Sequence, residues 1–102
     1  MELQKLEIII SNTYLEQLVD HLEDIGVNGY TALEIFRGKG IRTGEHLSEG
    51  LLPTTRNTLI ICLVTEDVVE EIFEDLKVYI NERNGVLFTV PILRHMGINN
   101  KI

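Results

Sequence analysis

Tyr30-Thr31-Ala32-Leu33-Glu34-Ile35-Phe36-Arg37-Gly38-Lys39-Gly40-Ile41-Arg42 is the stretch on which the reading of the fold turns. Its first eight residues have strand character. The chain then stays polar and glycine-rich through Thr43-Gly44-Glu45-His46-Leu47-Ser48-Glu49-Gly50, and strand character returns only near Thr58. Structureless connections longer than about 12–15 residues inside a small domain are uncommon and tend to be functional or disordered. Function is therefore expected in this long connection, and the remainder reads as the scaffold that holds its two ends.

Working outward, Leu3, Leu6, Ile8 and Ile10 predict a first strand, stopped by Ser11-Asn12-Thr13. Thr13 and Glu16 have the spacing of a capping box. Leu15, Leu18, Val19, Leu22 and Ile25 then form an apolar stripe at helical spacing, and Gly26 suits the left-handed residue that ends a helix. The second strand runs from Tyr30 to Arg37. After the connection, Thr58 to Val64 is apolar at six successive positions, which requires cover on both faces. Thr65 is the expected N-cap of a second helix, with Glu66 and Asp67 in its first turn. Val68, Val69, Ile72, Phe73, Leu76, Tyr79 and Ile80 form its apolar stripe, while the intervening acidic run reads as a solvated face. Asn81 to Gly85 turn the chain into a fourth strand, Val86 to Val90, where Pro91 fits an edge or a bulge. The tail from about residue 95 to 102 is expected to be loose.

The order is β-α-β-β-α-β, an α+β, ferredoxin-like pattern with a four-stranded antiparallel sheet. Right-handed crossovers place both helices on one face. The other face has nothing in the chain to cover it, which predicts a homo-oligomer packed through its sheets.

The chain has 102 residues, read as a single domain, and a formal net charge of −7. That charge argues against a nucleic-acid or anionic-membrane partner, but a local basic cluster still accommodates a small anion. Cys62, the one cysteine, lies inside the third strand and reads as a buried hydrophobe. No signal peptide and no apolar run near the roughly 20 residues of a membrane span are seen, so the expected location is cytoplasmic.

The strongest chemical signal is Gly38-Lys39-Gly40-Ile41-Arg42. Glycines let backbone N–H groups approach a phosphate, and Lys39, Arg42 and Arg37 add positive charge. A tight strand exit explains the glycines about as well. The segment lacks the Gly-Lys-Ser/Thr of a P-loop, and no helix follows it as the dinucleotide fingerprint requires. His21, His46 and His95 have no metal-ligand spacing. Ser48, Thr54 and Thr55 have no evident base partner, so no enzyme is indicated.

Ile25-Gly26-Val27-Asn28-Gly29-Tyr30-Thr31, followed by a strand ending in Gly38-Lys39-Gly40-Ile41-Arg42, resembles the corresponding stretch of the PII signalling proteins. Val64-Thr65-Glu66-Asp67 is similar to the start of their second helix. The resemblance implies a homotrimer whose sheets line its interior and which binds adenine nucleotides in clefts between subunits. It makes residues 38–57 a T-loop that docks on a target, often a membrane transporter. It implies that Thr31 reaches the adenine or ribose, that Gly38, Lys39, Gly40 and Arg42 sit at the phosphates, that backbone at Ile9 and Leu63 flanks the base, and that Gly85 belongs to the B-loop.

Departures from the pattern narrow the expectation. The segment between Thr31 and the glycine pair is one residue longer than in standard PII proteins. The B-loop is reduced to Arg83-Asn84-Gly85-Val86, with Val86 in the place of a phosphate-binding lysine. The C-terminal arginine pair is missing; Arg94 is near, and Arg83 is the candidate substitute. The T-loop lacks the tyrosine that some PII proteins have uridylylated. The chain thus looks like a divergent, short B-loop member, of the types associated with bicarbonate or other transporters. Weaker triphosphate binding, or a preference for ADP, AMP or cyclic AMP over ATP, follows, with Mg2+ as an optional companion. Control by 2-oxoglutarate is not expected. Two alternatives stand beside this reading. One is a CutA-like trimer on the same fold, metal-binding or structural, using carboxylates, His46 or His95. The other is a small ferredoxin-like enzyme, for which no acid–base pair is present.

Overall fold

The computed structural model describes residues 2–40, 44–45 and 56–98. The interior of the long connection, including Ile41, Arg42 and His46, lies outside the described residues, as do the last four positions of the tail. Four strands form one antiparallel sheet: β1 (Leu3–Ser11), β2 (Thr31–Ile35), β5 (Asn57–Thr65) and β6 (Val86–Pro91), in the order β2-β5-β1-β6. A two-residue ribbon, β3 (Lys39–Gly40) with β4 (Gly44–Glu45), stands apart from it. Helices α1 (Leu15–Ile25) and α2 (Glu66–Glu82) complete the ferredoxin-like βαββαβ arrangement.

Alternation along β5 and most of β1 builds the centre of the sheet. On β5, Thr58, Ile60, Cys62 and Val64 are buried, whereas Leu59, Ile61 and Leu63 are only half-buried. On β1, Leu6, Ile8 and Ile10 are buried beneath the helices. Against them pack Leu18 and Leu22 of α1 and Val69, Ile72, Leu76 and Ile80 of α2, and Val19 of α1 is buried too. Each such Leu or Ile, fully removed from water, contributes about 1.5–3 kcal/mol.

The register places Ile9 between Leu59 and Val86, with Leu33 beyond Leu59 in the same row. The next row holds Glu7 between Ile61 and Phe88. These side chains share the face opposite the core. Leu33, Val86, Phe88 and Val90 are exposed there, so the open apolar face expected from the two-sided third strand is present in the isolated chain.

Local signals differ from expectation at a few points. Thr13 does not cap the first helix. Ser11 Oγ accepts from the Thr13 N–H at 3.3 Å and nucleates a 3₁₀ turn, Asn12–Tyr14, ahead of α1. Thr65 holds the N-cap position of α2 in extended conformation but makes no side-chain cap. Its hydroxyl instead donates to Asp67 Oδ1 at 2.6 Å, and this bond holds the Asp67 carboxyl below its usual range. Phe73, counted in the apolar stripe, is exposed. Strand β2 is shorter at both ends than Tyr30–Arg37. The helix stop was legible: Gly26 adopts φ 119°, its N–H reaches Leu22 O, and Val27 N–H bonds the same carbonyl at 2.9 Å. Pro91 ends the edge strand β6, where its missing N–H is harmless.

Candidate functional site

The two ends of the long connection are held side by side. Ile35 lies opposite Asn57, and one residue earlier Arg56 Nη1 donates to Glu34 Oε2 at 3.1 Å. Both side chains of that pair are more than half exposed, so it orients the strands more than it stabilises them. Arg56 O accepts from Asn12 N–H at 2.6 Å, and Asn12 Oδ1 accepts from Thr58 Oγ1 at 3.4 Å. The start of α1 is thereby fastened to the loop base. Neither Asn12 nor Arg56 was singled out from sequence; the only signal was a cation on the last residue before a strand.

Beyond this closure the chain passes through Phe36, which is 98% exposed, to Gly38 and the ribbon. A Cβ at Gly38 would meet only Ile35 Cγ2 at 3.8 Å, and one at Gly29 would meet nothing within 4 Å. Nothing within the described chain requires glycine at either position. Gly85 is different. Its Cβ would come within 3.2 Å of both Ile9 O and Ile80 Cγ2, so its backbone is pressed against the central strand. Asn84, just before it, has φ 55° and makes the turn out of α2.

Arg83 is committed to aromatic partners. Its guanidinium carbon lies 3.8 Å from the Tyr79 ring centroid and 5.2 Å from that of Tyr14, and Nη1 donates to Tyr79 O at 3.1 Å. Tyr79 in turn donates to Gln17 Oε1 at 2.6 Å, and His21 meets its ring edge-on. Partial burial raises the Tyr79 phenol above its ordinary value, against the nearby Arg83 charge, so the hydroxyl keeps its proton at neutral pH. The Cys62 thiol is pushed up to about 11 by burial, consistent with an inert core residue.

The other nominated residues divide into two groups by register. Ile9, Arg37, Gly38, the Lys39–Gly40 backbone, Arg83 and Gly85 lie toward the loop end of the sheet. Leu63 stands opposite Lys5, four residues along β1 from Ile9, or about 13 Å at strand rise. Thr31 lies between, on the row of Ile61, and Arg94 follows β6 past the Gln4–Pro91 pair, at the far end. One chain does not gather them. The side chain of Lys39, and all of Arg42, lie outside the described set. A groove of about 590 Å³ between α2 and β6, floored by Ile72, Leu76, Ile80 and Leu87, shares only Gly85 with the nominated residues. Among the described residues no group of three or more His, Cys, Asp or Glu is placed to hold a metal ion, and no helix is long and apolar enough to cross a membrane.

The fold recurs in known structures. CPII, a nitrogen regulatory PII-like protein from Thiomonas intermedia K12 solved with ADP, AMP and bicarbonate, is 30% identical, with a TM-score of 0.79 over 90% of this chain and 87% of that one. A PII-like signalling protein of Thermus thermophilus shares the fold at 21% identity and a TM-score of 0.71, covering 90% of this chain and 88% of its own. The GlnK–ATP complex of B. subtilis does so at 21% identity and 0.65, covering 89% and 82%. No curated protein sequence gives a significant match. The family model for nitrogen regulatory protein P-II matches residues 3–100. With the four-stranded sheet, the closed loop base and the two-helix face in place, the chain belongs to the P-II family of nitrogen regulatory proteins.

Proposed function

We propose that this chain is the subunit of a cytoplasmic homotrimer that binds an adenine nucleotide in clefts between neighbouring subunits and signals occupancy to a target, a membrane transporter, through residues 38–57. The observation that carries this reading is the division of the candidate residues. Gly38, Gly85 and Ile9 lie toward the loop end of an uncovered apolar sheet, and Thr31, Leu63 and Arg94 are displaced along it. A neighbour seated on that face brings the second group of one chain to the first group of the next. Glycines at Gly29 and Gly38 that packing does not require are consistent with close approach by a ligand.

The phosphate end is lightly equipped. Val86 brings no charge, and Arg83 is held on Tyr79. Two phosphates or one suit such a site better than three, and ADP and AMP are the nucleotides found in the 30%-identical CPII. The role is regulatory, as throughout the family, with residues 1–102 as one domain.

Calorimetric titration with ATP, ADP, AMP and cyclic AMP, with and without Mg2+, tests the reading. Saturable binding near one nucleotide per chain is expected, ADP or AMP binding more tightly than ATP. Lys39→Ala should weaken binding at least about tenfold, the scale of one charge-assisted phosphate contact, without dissolving the assembly. Absence of heat with all four nucleotides removes the proposal.

A further inference from the structure

A charged pair interrupts the apolar rows of the open sheet face. Lys5 Nζ lies 3.1 Å from Glu7 Oε2, with the two side chains 39% and 17% exposed. They are two residues apart on β1, so they stand on the same face. The register surrounds them with hydrocarbon: Lys5 is flanked by Leu63 and Val90, and Glu7 by Ile61 and Phe88. Strand β1 is central, so the pair is no guard against edge-to-edge pairing, the usual use of strand charges. Its value to the lone subunit is small, because ion pairs that water still reaches contribute little. Once a second copy covers the face, the same two charges are costly unless they stay paired and hydrogen-bonded.

We propose that the Lys5–Glu7 pair selects the orientation in which copies of this chain seat on one another's open faces. This rests on the assembly reading above. Apolar sheet faces slide past one another with little change in buried area, so hydrocarbon alone specifies the register weakly. A seating that presses leucine or isoleucine onto the pair strips it of water and returns nothing. A seating that gathers the pairs around the symmetry axis gives each carboxylate a lysine from its own chain and one from its neighbour. The pair thus excludes rival packings instead of strengthening the chosen one, the role best attested for buried polar groups at interfaces. The occupant of the face is a second copy because the face is self-complementary in this sense: mostly apolar, and neutral where it is charged.

The test compares wild type with Lys5→Met, Glu7→Leu, the double change K5M/E7L and the swap K5E/E7K. Size-exclusion chromatography with light scattering and mass photometry report assembly, and circular dichroism reports folding. Each single change leaves one charge buried and alone, and should weaken association on the order of 100-fold or more. The double change should assemble at least as tightly as wild type but as a mixture of stoichiometries or particle shapes. The swap should restore one species. If the singles fail to fold, the double change and the swap still decide the matter. A double variant that forms one species of wild-type order overturns the inference and leaves the assembly reading standing. A wild-type chain that stays monomeric at all concentrations defeats that reading, and this inference with it.

Discussion

Gly85 shows how one position ties the scaffold to the site. A methyl group there meets Ile9 O, a backbone atom of the central strand that has no freedom to retreat, and Ile80 Cγ2. Gly85→Ala should therefore lower stability by about 1–3 kcal/mol in urea unfolding, as overpacking does. Alanine at Gly29 or Gly38 should cost far less, since both have room for it. The sequence alone does not separate these three glycines. It marks all of them as turn or ligand positions, and only the approach of β1 shows which one answers to packing. The Gly26 stop was readable because its cause is local, a left-handed residue closing a helix. Thr13 was misread for an equally local reason: the hydroxyl of Ser11, two residues earlier, takes the N–H that starts the turn.

At the level of elements, the hydrophobic periodicity of β1, β5, α1 and α2 was visible because each repeats its signal over several turns or pleats. What joins α1 to α2 was not. Tyr14 and Gln17 on one side and Tyr79 and Arg83 on the other lie far apart in the chain and meet only in three dimensions. Arg83, expected as a stand-in for missing phosphate ligands, is stacked on Tyr79 and bonded to its carbonyl oxygen in the isolated chain. Arg83→Ala should lose the cation–π contact and one hydrogen bond together, about 1–2 kcal/mol of stability in the same unfolding measurement. It should also loosen the turn that carries Asn84 and Gly85.

For the whole molecule, the open face is the decisive feature, and it was legible from β5 alone: alternation of a buried and a half-buried apolar set needs two covers where the described residues supply one. The candidate binding residues were less so, because those among the described residues lie along the length of the sheet and one chain does not bring them together. Leu59→Glu, placed between Ile9 and Leu33 on that face, should yield a folded monomer by light scattering with unchanged circular dichroism, since the isolated subunit already leaves this row open to water. A last consequence follows from the pairing of Ile35 with Asn57 and of Glu34 with Arg56, which fixes both ends of the long connection independently of what lies between. By closure entropy alone, the cost of joining two such fixed ends rises only with the logarithm of the length between them, about 0.6 kcal/mol per doubling. Changes of length between Phe36 and Arg56 are therefore expected to add little closure cost to folding. A scaffold built this way is evolvable: it can acquire new recognition chemistry by mutation without first risking its own stability.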